Sequence, residues 1–155
     1  MTVIQGFEQF AGVLEDFAGD LETIADEIDE AIDKGTRTTA LSIEKSAKGN
    51  APVRDGELRA DIKALKMEMA IYSVGTSKKY GPSMEYGSKP HSITPNGPYP
   101  LKFFWEKKGR WVSTYKVDHP GTEAQPFLRP ALNKHRSDLV ENISDEIQKV
   151  IDSEL

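Results

Sequence analysis

The side chains best suited to chemistry in this sequence are its three histidines, because the chain contains no cysteine. Asp118-His119 could approach His91 in space and bind a metal ion, since imidazole and carboxylate are common zinc ligands. However, no HExxH, His-x-His or carboxylate cluster accompanies them. We therefore expect His91 and His119 to satisfy loop backbone groups, His135 to lie on the C-terminal helix, and no metal or other cofactor to be bound.

Serine and carboxylate patterns do not predict catalysis either. No serine lies in the G-x-S-x-G context of a nucleophile elbow, and no glycine-rich stretch has the form of a phosphate-binding loop. The acidic pairs Glu15-Asp16 and Asp26-Glu27 are adjacent in sequence, so their side chains diverge around a helix instead of converging on a substrate. We therefore expect no enzymatic activity.

Charge is strongly segregated along the chain. Residues 1–33 hold ten acidic side chains and no Lys or Arg, whereas residues 34–120 hold sixteen basic and eight acidic ones. Residues 121–155 hold four basic and seven acidic side chains. An acidic arm beside a basic body favours head-to-tail contact between identical subunits, although the same charges could simply solvate helix faces. The candidate contact residues are Asp26, Asp29, Glu30, Arg54, Arg59, Lys78, Lys79, Lys107, Lys108 and Arg110.

The basic body also suggests a second hypothesis, a nucleic-acid-binding accessory protein. Trp105 and Trp111 lie among its lysines and arginines, and such a mixture can contact phosphates and stack on bases. The pI of about 5.3 argues against it, because a dedicated nucleic-acid-binding domain usually has a pI above about 9. Both hypotheses stay open at the level of sequence.

Helical spacing dominates the N-terminal third. Apolar residues from Phe7 to Phe17 recur at intervals of three and four, and Gly19-Asp20 predicts a break before a second helix. A further apolar stripe from Leu21 to Ala47 predicts a long helix that ends near Gly49-Asn50. Gly35 lies inside that stripe, where it lowers helix stability and favours a kink.

The middle of the chain has the character of strands and turns. Asp55-Gly56 predicts a turn, and Leu58–Lys66 and Met69–Val74 predict two strands. A single helical turn is expected from Pro82, because proline is tolerated at the first helical position. The remaining predictions are an exposed loop with brief strand pairing over 91–99 and a hairpin formed by 101–105 and 110–117.

Taken together, these elements predict an α+β domain: long N-terminal helices, a central antiparallel sheet with a hairpin, and a C-terminal helix packed on the sheet. We expect one domain over residues 1–155, made of an acidic helical arm (1–49), a β-rich body (50–120) and a turn with the C-terminal helix (121–155). No apolar run is long enough to cross a membrane, and the first residues do not form a signal peptide.

The segment His119–Leu132 contains the turn that should place the C-terminal helix. Pro126 and Pro130 fix φ and lack an amide donor, so we expect the helix to begin at Pro130 after a tight turn. Phe127 and Leu128 should anchor the helix start to the sheet. Arg129, the charged residue among apolar neighbours, either forms an internal salt bridge or backbone clamp, or contacts another subunit.

This segment resembles the morphogenesis family of lambdoid-type tailed phages, whose members are neck, minor tail or tail-completion proteins. Ala51-Pro-Val-Arg-Asp-Gly-Glu-Leu-Arg59 is similar to a turn of that family. Val74-Gly-Thr76, Tyr80-Gly-Pro82 and Glu85-Tyr-Gly87 resemble its central block. Three further pieces resemble a longer subgroup of the family, which ends in His-Pro-Gly-Thr. These pieces are His91–Pro95, Leu101–Phe104 and Gly109–Val112. The matches follow the family order over roughly 50–132, and residues 1–48 match only as generic helix.

The resemblance implies a structural virion protein that joins heads to tails or completes tails as a ring-forming neck subunit, a hexamer by its position in the particle. Its implied partners are other copies of itself, head-closure or connector proteins, and the tail terminator or tail tube protein. Genomic DNA would be passing cargo, and no membrane is involved. Assembly would take place in the host cytoplasm.

Overall fold

The structure, a computed structural model, describes the backbone of residues 3–154 and the side-chain surroundings of residues 10–153. Its first element is one helix, α1 (Val3–Asn50). The predicted break at Gly19-Asp20 is therefore wrong. A glycine costs a helix about 1 kcal/mol without breaking it, and good helix formers such as Ala18 and Leu21 flank this one. The predicted end near Gly49-Asn50 is confirmed, while the side chain of Phe7 lies outside the described residues.

Gly35 is a crossing point between helices. The last helix, α5 (Asp138–Glu154), packs along α1. A Cβ added to Gly35 would lie only 2.7 Å from the Cα of Ile143 on α5. Asn142 also donates a hydrogen bond from Nδ2 to Oγ1 of Thr39 at 2.9 Å. The glycine is thus explained by the close approach of two backbones.

The strands form three separate two-stranded antiparallel sheets. β1 (Lys63–Glu68) pairs with β2 (Ile71–Gly75). β3 (His91–Ile93) pairs with β6 (Val117–His119), and β4 (Leu101–Trp105) pairs with β5 (Arg110–Thr114). The α+β class and the brief pairing near His91 are confirmed. The hairpin is confirmed too, but its second strand ends at Thr114 and not at Val117, which lies in β6 and pairs with Ile93. The single central sheet is replaced by three ribbons.

The first predicted strand is half helix. Residues Glu57–Asp61 form the short helix α2, and β1 begins only at Lys63. Gly56 adopts a positive φ of 84°, and the Asp55 side chain accepts the Glu57 N–H at 3.1 Å. This turn chemistry starts a helical turn, which strand propensity alone does not reveal. The turn buries Leu58, while Ile62 follows it into the core. The other predicted turn forms helix α3 (Gly81–Tyr86).

The C-terminal region contains two helices where one was expected. Helix α4 (Leu128–His135) begins two residues before Pro130, and a short turn separates it from α5. Pro130 is the third helical residue, where its missing N–H would have had no helical partner anyway. Both helices make their main contacts with α1 and not with a sheet. None of the described helices combines the length and apolar character needed to cross a membrane.

The core is small and lies where the end of α1, α2 and α4 meet. Phe127 and Ile62 are its largest fully buried side chains. Small residues of α1 and α4 let the three helices approach closely around them. The buried core residues are Ala47, Ala51, Leu58, Ile62, Phe127 and Ala131.

Candidate functional site

The carboxylate of Glu85 caps the start of α4. α3 carries this residue, which is only 2% exposed. Its Oε2 accepts the backbone N–H groups of Phe127 at 2.7 Å and Leu128 at 2.9 Å, and its Oε1 accepts that of Arg129 at 3.0 Å. The first N–H groups of a helix have no partner within the helix, and a negative charge is favourable there. One buried side chain thus fixes the direction in which α4 leaves the turn.

Arg129 binds Glu85 on the solvent-facing side of the α4 cap. Its Nε donates to Oε1 of Glu85 at 3.1 Å, and its Nη2 donates to the Glu85 backbone carbonyl at 3.2 Å. The guanidinium also lies 4.9 Å from the ring centroid of Tyr86. These are charge-assisted and cation–π contacts within one chain. The geometry is that of an internal salt bridge and backbone clamp, with about half of the side chain still exposed.

The other predicted anchor residues lie at the same junction. Phe127 is fully buried, and its carbonyl accepts a hydrogen bond from Nδ2 of Asn50 at 3.3 Å. Leu128 packs against the core, while Pro126 and Pro130 are exposed on either side. The structure therefore brings Pro126 to Pro130 together around the end of α1. The Glu85-Tyr-Gly87 motif does not by itself predict a role for Glu85, because its partners lie more than forty positions away.

The pKa of Glu85 reports the balance of forces at this cap. Burial of the carboxyl raises its pKa, but hydrogen bonds from the backbone of Leu128, Phe127 and Arg129, together with the Arg129 side chain, outweigh burial and lower it below the usual 4.5. Glu85 is thus a carboxylate at neutral pH. An ionised group this deeply buried is tolerated only because all its partners are in place.

Two glycines permit the chain crossing beside the cap. Gly87 has φ 74° and Gly121 has φ 92°. A Cβ would meet the Thr122 carbonyl oxygen at 2.8 Å from Gly87 and the Ser88 carbonyl oxygen at 2.3 Å from Gly121. Ser88 and Thr122 exchange backbone hydrogen bonds of 2.9 and 3.0 Å across this gap. The Glu85-Tyr-Gly87 motif therefore combines a cap, a surface for Arg129 and a close backbone crossing.

Asp61 ties α2 to the loop after β2. Its carboxylate accepts hydrogen bonds from Oγ1 of Thr76 at 2.5 Å and from the N–H of Ser77 at 2.6 Å. These two bonds are the main reason that its pKa falls from 3.8 to about 2. The Val74-Gly-Thr76 motif thus has a physical role, because Thr76 holds the end of α2 against the hairpin.

Two carboxylates of α1 bind the β1–β2 hairpin. Oε2 of Glu44 accepts the N–H of Ala64 at 2.6 Å. Asp33 accepts the N–H of Ala70 at 2.8 Å and pairs with Lys66 at 2.8 Å. The bond from Lys66 is the largest cause of the lowered pKa of Asp33. These contacts place one face of the hairpin against α1. Neither acid can be recognised from the sequence, because each resembles an ordinary helix-surface charge.

The predicted contact residues lie on the surface, and several basic ones already have partners. Arg54 pairs with Glu106 at 2.5 Å, and Lys78 pairs with Glu57 at 2.8 Å. Lys108 lies 4.3 Å from the ring centroid of Trp105. Within residues 10–153, no ion pair links the acidic candidates to the basic candidates. The remaining candidates, all exposed, are Asp26, Asp29, Glu30, Arg59, Lys79, Lys107 and Arg110.

A Ser–His–Asp chain joins α1 to the corner between α4 and α5. Oγ of Ser46 lies 2.7 Å from Nε2 of His135, and Nδ1 of His135 lies 2.6 Å from Oδ2 of Asp138. Acyl transfer also needs free N–H donors beside the nucleophile to stabilise an oxyanion. Ser46 lies inside α1, where backbone N–H groups bond within the helix. The geometry therefore supports a structural joint between three helices.

His91 and His119 do approach each other. They are partners in the β3–β6 register, and their ring centroids are 5.2 Å apart. Nδ1 of His119 accepts the N–H of Gly121 at 3.1 Å, and Nδ1 of His91 lies 2.9 Å from the Lys89 carbonyl oxygen. Among the described residues, no group of three or more potential ligands could hold a metal ion. Both rings thus contact loop backbone, as expected.

Residues 15–87 match one family model, described as "Bacteriophage HK97-gp10, putative tail-component". The match covers just under half of the chain and supports the resemblance to a tailed-phage tail and neck morphogenesis family. It includes residues 15–50 of α1, so our view that residues 1–48 match only as generic helix is wrong from residue 15 onward. It also includes Glu85 but ends before its partners at the start of α4. Comparisons with curated proteins and with solved structures find no match.

Proposed function

We propose that this protein acts in head–tail joining or tail completion as a ring-forming neck subunit, and that the ring is a hexamer. The observation that carries the proposal is the family match over residues 15–87. A structural role agrees with a site whose buried carboxylate, Glu85, caps a helix. In this proposal the neighbours in the virion are head-closure or connector proteins and the tail terminator or tail tube protein, and DNA only passes through.

Charge segregation supports ring closure. A closed ring of more than two subunits needs a heterologous interface, in which one patch meets a different patch on the next copy. The acidic residues Asp26, Asp29 and Glu30 and the exposed basic residues Arg59 and Lys79 supply two such patches. Opposite potentials increase the association rate and suppress contacts between like patches. We propose that these residues contribute to the subunit interface.

In this proposal the cluster of residues 126–130 acts inside the subunit. Phe127 is fully buried, and Arg129 is bonded to Glu85. Their role would be to hold α4, and through it α5, at a fixed angle to α1. A ring requires this rigidity because every subunit must present both patches in the same relative orientation.

The nucleic-acid hypothesis gains little from the structure. Arg54, Lys66 and Lys78 each pair with a carboxylate of the same chain. Such pairs reduce the positive potential that phosphate binding requires. A neck subunit would need only weak contact with passing DNA.

Two measurements test the proposed function. Light scattering after size-exclusion chromatography, with negative-stain imaging, should show a closed ring alone or with a neck partner. Deletion of the gene should leave unjoined heads and tails, and wild-type protein supplied in trans should restore joining. A protein that stays monomeric with every neck partner, together with normal virions after deletion, would refute the proposal.

A further inference from the structure

The N-terminal part of α1 carries an apolar stripe on its surface. Its large side chains are 51–61% exposed, although they continue the heptad spacing that leads to Ala31 and Gly35 under α5. The stripe is therefore continuous with the packed α1–α5 interface but extends beyond it. From here on, the arm means only the part of the acidic helical arm that carries this stripe, residues 10–21 of α1. Its exposed apolar residues are Phe10, Val13, Leu14, Phe17 and Leu21.

The β1–β2 hairpin has a second exposed apolar surface. Side chains alternate between the two faces of a strand. Ala64, Lys66 and Tyr72 belong to the face that meets α1 through Glu44 and Asp33. The opposite, outer face and the hairpin turn carry apolar side chains that are 54–63% exposed. These are Leu65, Met67, Met69 and Ile71.

The two surfaces cannot meet within one molecule. The hairpin turn is held to α1 at Asp33, whose carboxylate accepts the Ala70 N–H. Phe10 lies on the same continuous helix, about 35 Å from Asp33 along the axis at about 1.5 Å per residue. Folding the arm back over the outer face would break α1. Each surface can therefore be covered by the other only between two copies.

Charge favours this pairing over contact between two arms. Residues 1–33 contain no basic side chain, so two arms side by side would repel each other. The outer face of the hairpin includes Lys63, and the hairpin already binds acidic helix residues on its inner face through Lys66 and Ala70. An acidic amphipathic helix on the outer face would make the same kind of contact that α1 makes with the inner face.

We infer that the arm of one copy lies across the outer face of the β1–β2 hairpin of the next copy. This inference rests on the proposed ring, since it supplies the heterologous contact that a ring needs. The apolar stripe gives the affinity, and the acidic side chains set the orientation on a basic body.

Cysteine crosslinking tests the contact directly, because the chain has no cysteine of its own. The double variant Leu14→Cys/Met67→Cys is oxidised as the full chain, in purified oligomer and in virions. We expect a ladder of covalent oligomers on non-reducing gels. The matched control Asp16→Cys/Met67→Cys places the first thiol on the opposite side of the arm and should give no ladder. Circular dichroism checks that both variants are folded.

Two outcomes would overturn the inference. Dimers from Leu14→Cys alone, with no ladder from the double variant, would mean that arms pair with arms. No link between positions 14 and 67 in either sample would mean that something else covers the arm. If rings form without this crosslink, the inference fails and the proposed function stands. If the ladder forms but the protein is not needed to join heads to tails, the proposed function fails and the arm–hairpin contact stands.

Discussion

Replacing Glu85 with glutamine isolates the charge at the α4 cap. The two side chains have nearly the same shape, so the change creates no cavity. An amide has one oxygen and one NH2 group, whereas each Glu85 oxygen accepts two hydrogen bonds. In either amide orientation, two donors among the N–H groups of residues 127–129 and the Arg129 side chain therefore lose their acceptor and face another donor.

The expected loss is large because Glu85, which carries the carboxylate, is only 2% exposed. A hydrogen bond to a charged group contributes about 1.5–3 kcal/mol, and breaking a buried ion pair costs about 3–5 kcal/mol. The two costs overlap at this site, so we expect the free energy of unfolding to fall by about 3–5 kcal/mol. For a chain of this size, that corresponds to a melting temperature lower by about 6–20 °C.

The pH dependence gives the sign of the effect. The folded-state pKa of Glu85 is below its usual 4.5, so the charge contributes stability that is fully present above pH 4.5. That contribution is lost as pH falls through the lower, folded-state value. Glutamine does not titrate. The difference in unfolding free energy between wild type and Glu85→Gln should therefore shrink as the solution is acidified below 4.5.

Urea unfolding followed by circular dichroism, from neutral to acid pH, measures this difference. Other carboxylates with lowered pKa, such as Asp33 and Asp61, titrate in both proteins and cancel. Glu123→Gln removes an exposed carboxylate near the same turn and should change stability by less than about 0.5 kcal/mol. A Glu85→Gln protein as stable as wild type, or a difference that grows in acid, would refute the capping argument.

Three further predictions follow from burial and close contact. Phe127→Ala should lower the unfolding free energy by about 3–5 kcal/mol in a urea titration, and a wild-type value would place Phe127 outside the core. Gly35→Ala should destabilise by about 1–3 kcal/mol because its Cβ meets α5, whereas Gly19→Ala, with open space around it, should stabilise by up to about 1 kcal/mol. Lys107→Glu/Lys108→Glu should leave DNA retention unchanged in a filter-binding salt titration, and a steep loss would favour the nucleic-acid hypothesis.

Local signals predicted much of the fold. The apolar stripe that stops before Pro52 predicts where α1 ends. The aromatic and β-branched runs on either side of Gly109 predict the β4–β5 hairpin. Pro82 gives the short α3. Each of these depends on neighbours within a few residues, so the physical cause is visible in one stretch of sequence. The α2 turn was not predicted because the hydrogen bond from the Glu57 N–H to the Asp55 carboxylate and the positive φ of Gly56 outweigh the strand pattern that follows.

Contacts between residues far apart in sequence could not be predicted from local patterns, and Gly35 illustrates the reason. As a residue in a helix it predicts a weak point, and only the presence of Ile143 opposite it turns it into a packing requirement. Glu85 is the same case with charge in place of volume, since its three backbone donors lie in a segment more than forty residues away. In both cases the residue type limits the structural roles that the position can have. The distant partner determines which of those roles it has. The exposed arm suggests a third instance, in which the deciding partner would be another copy of the chain.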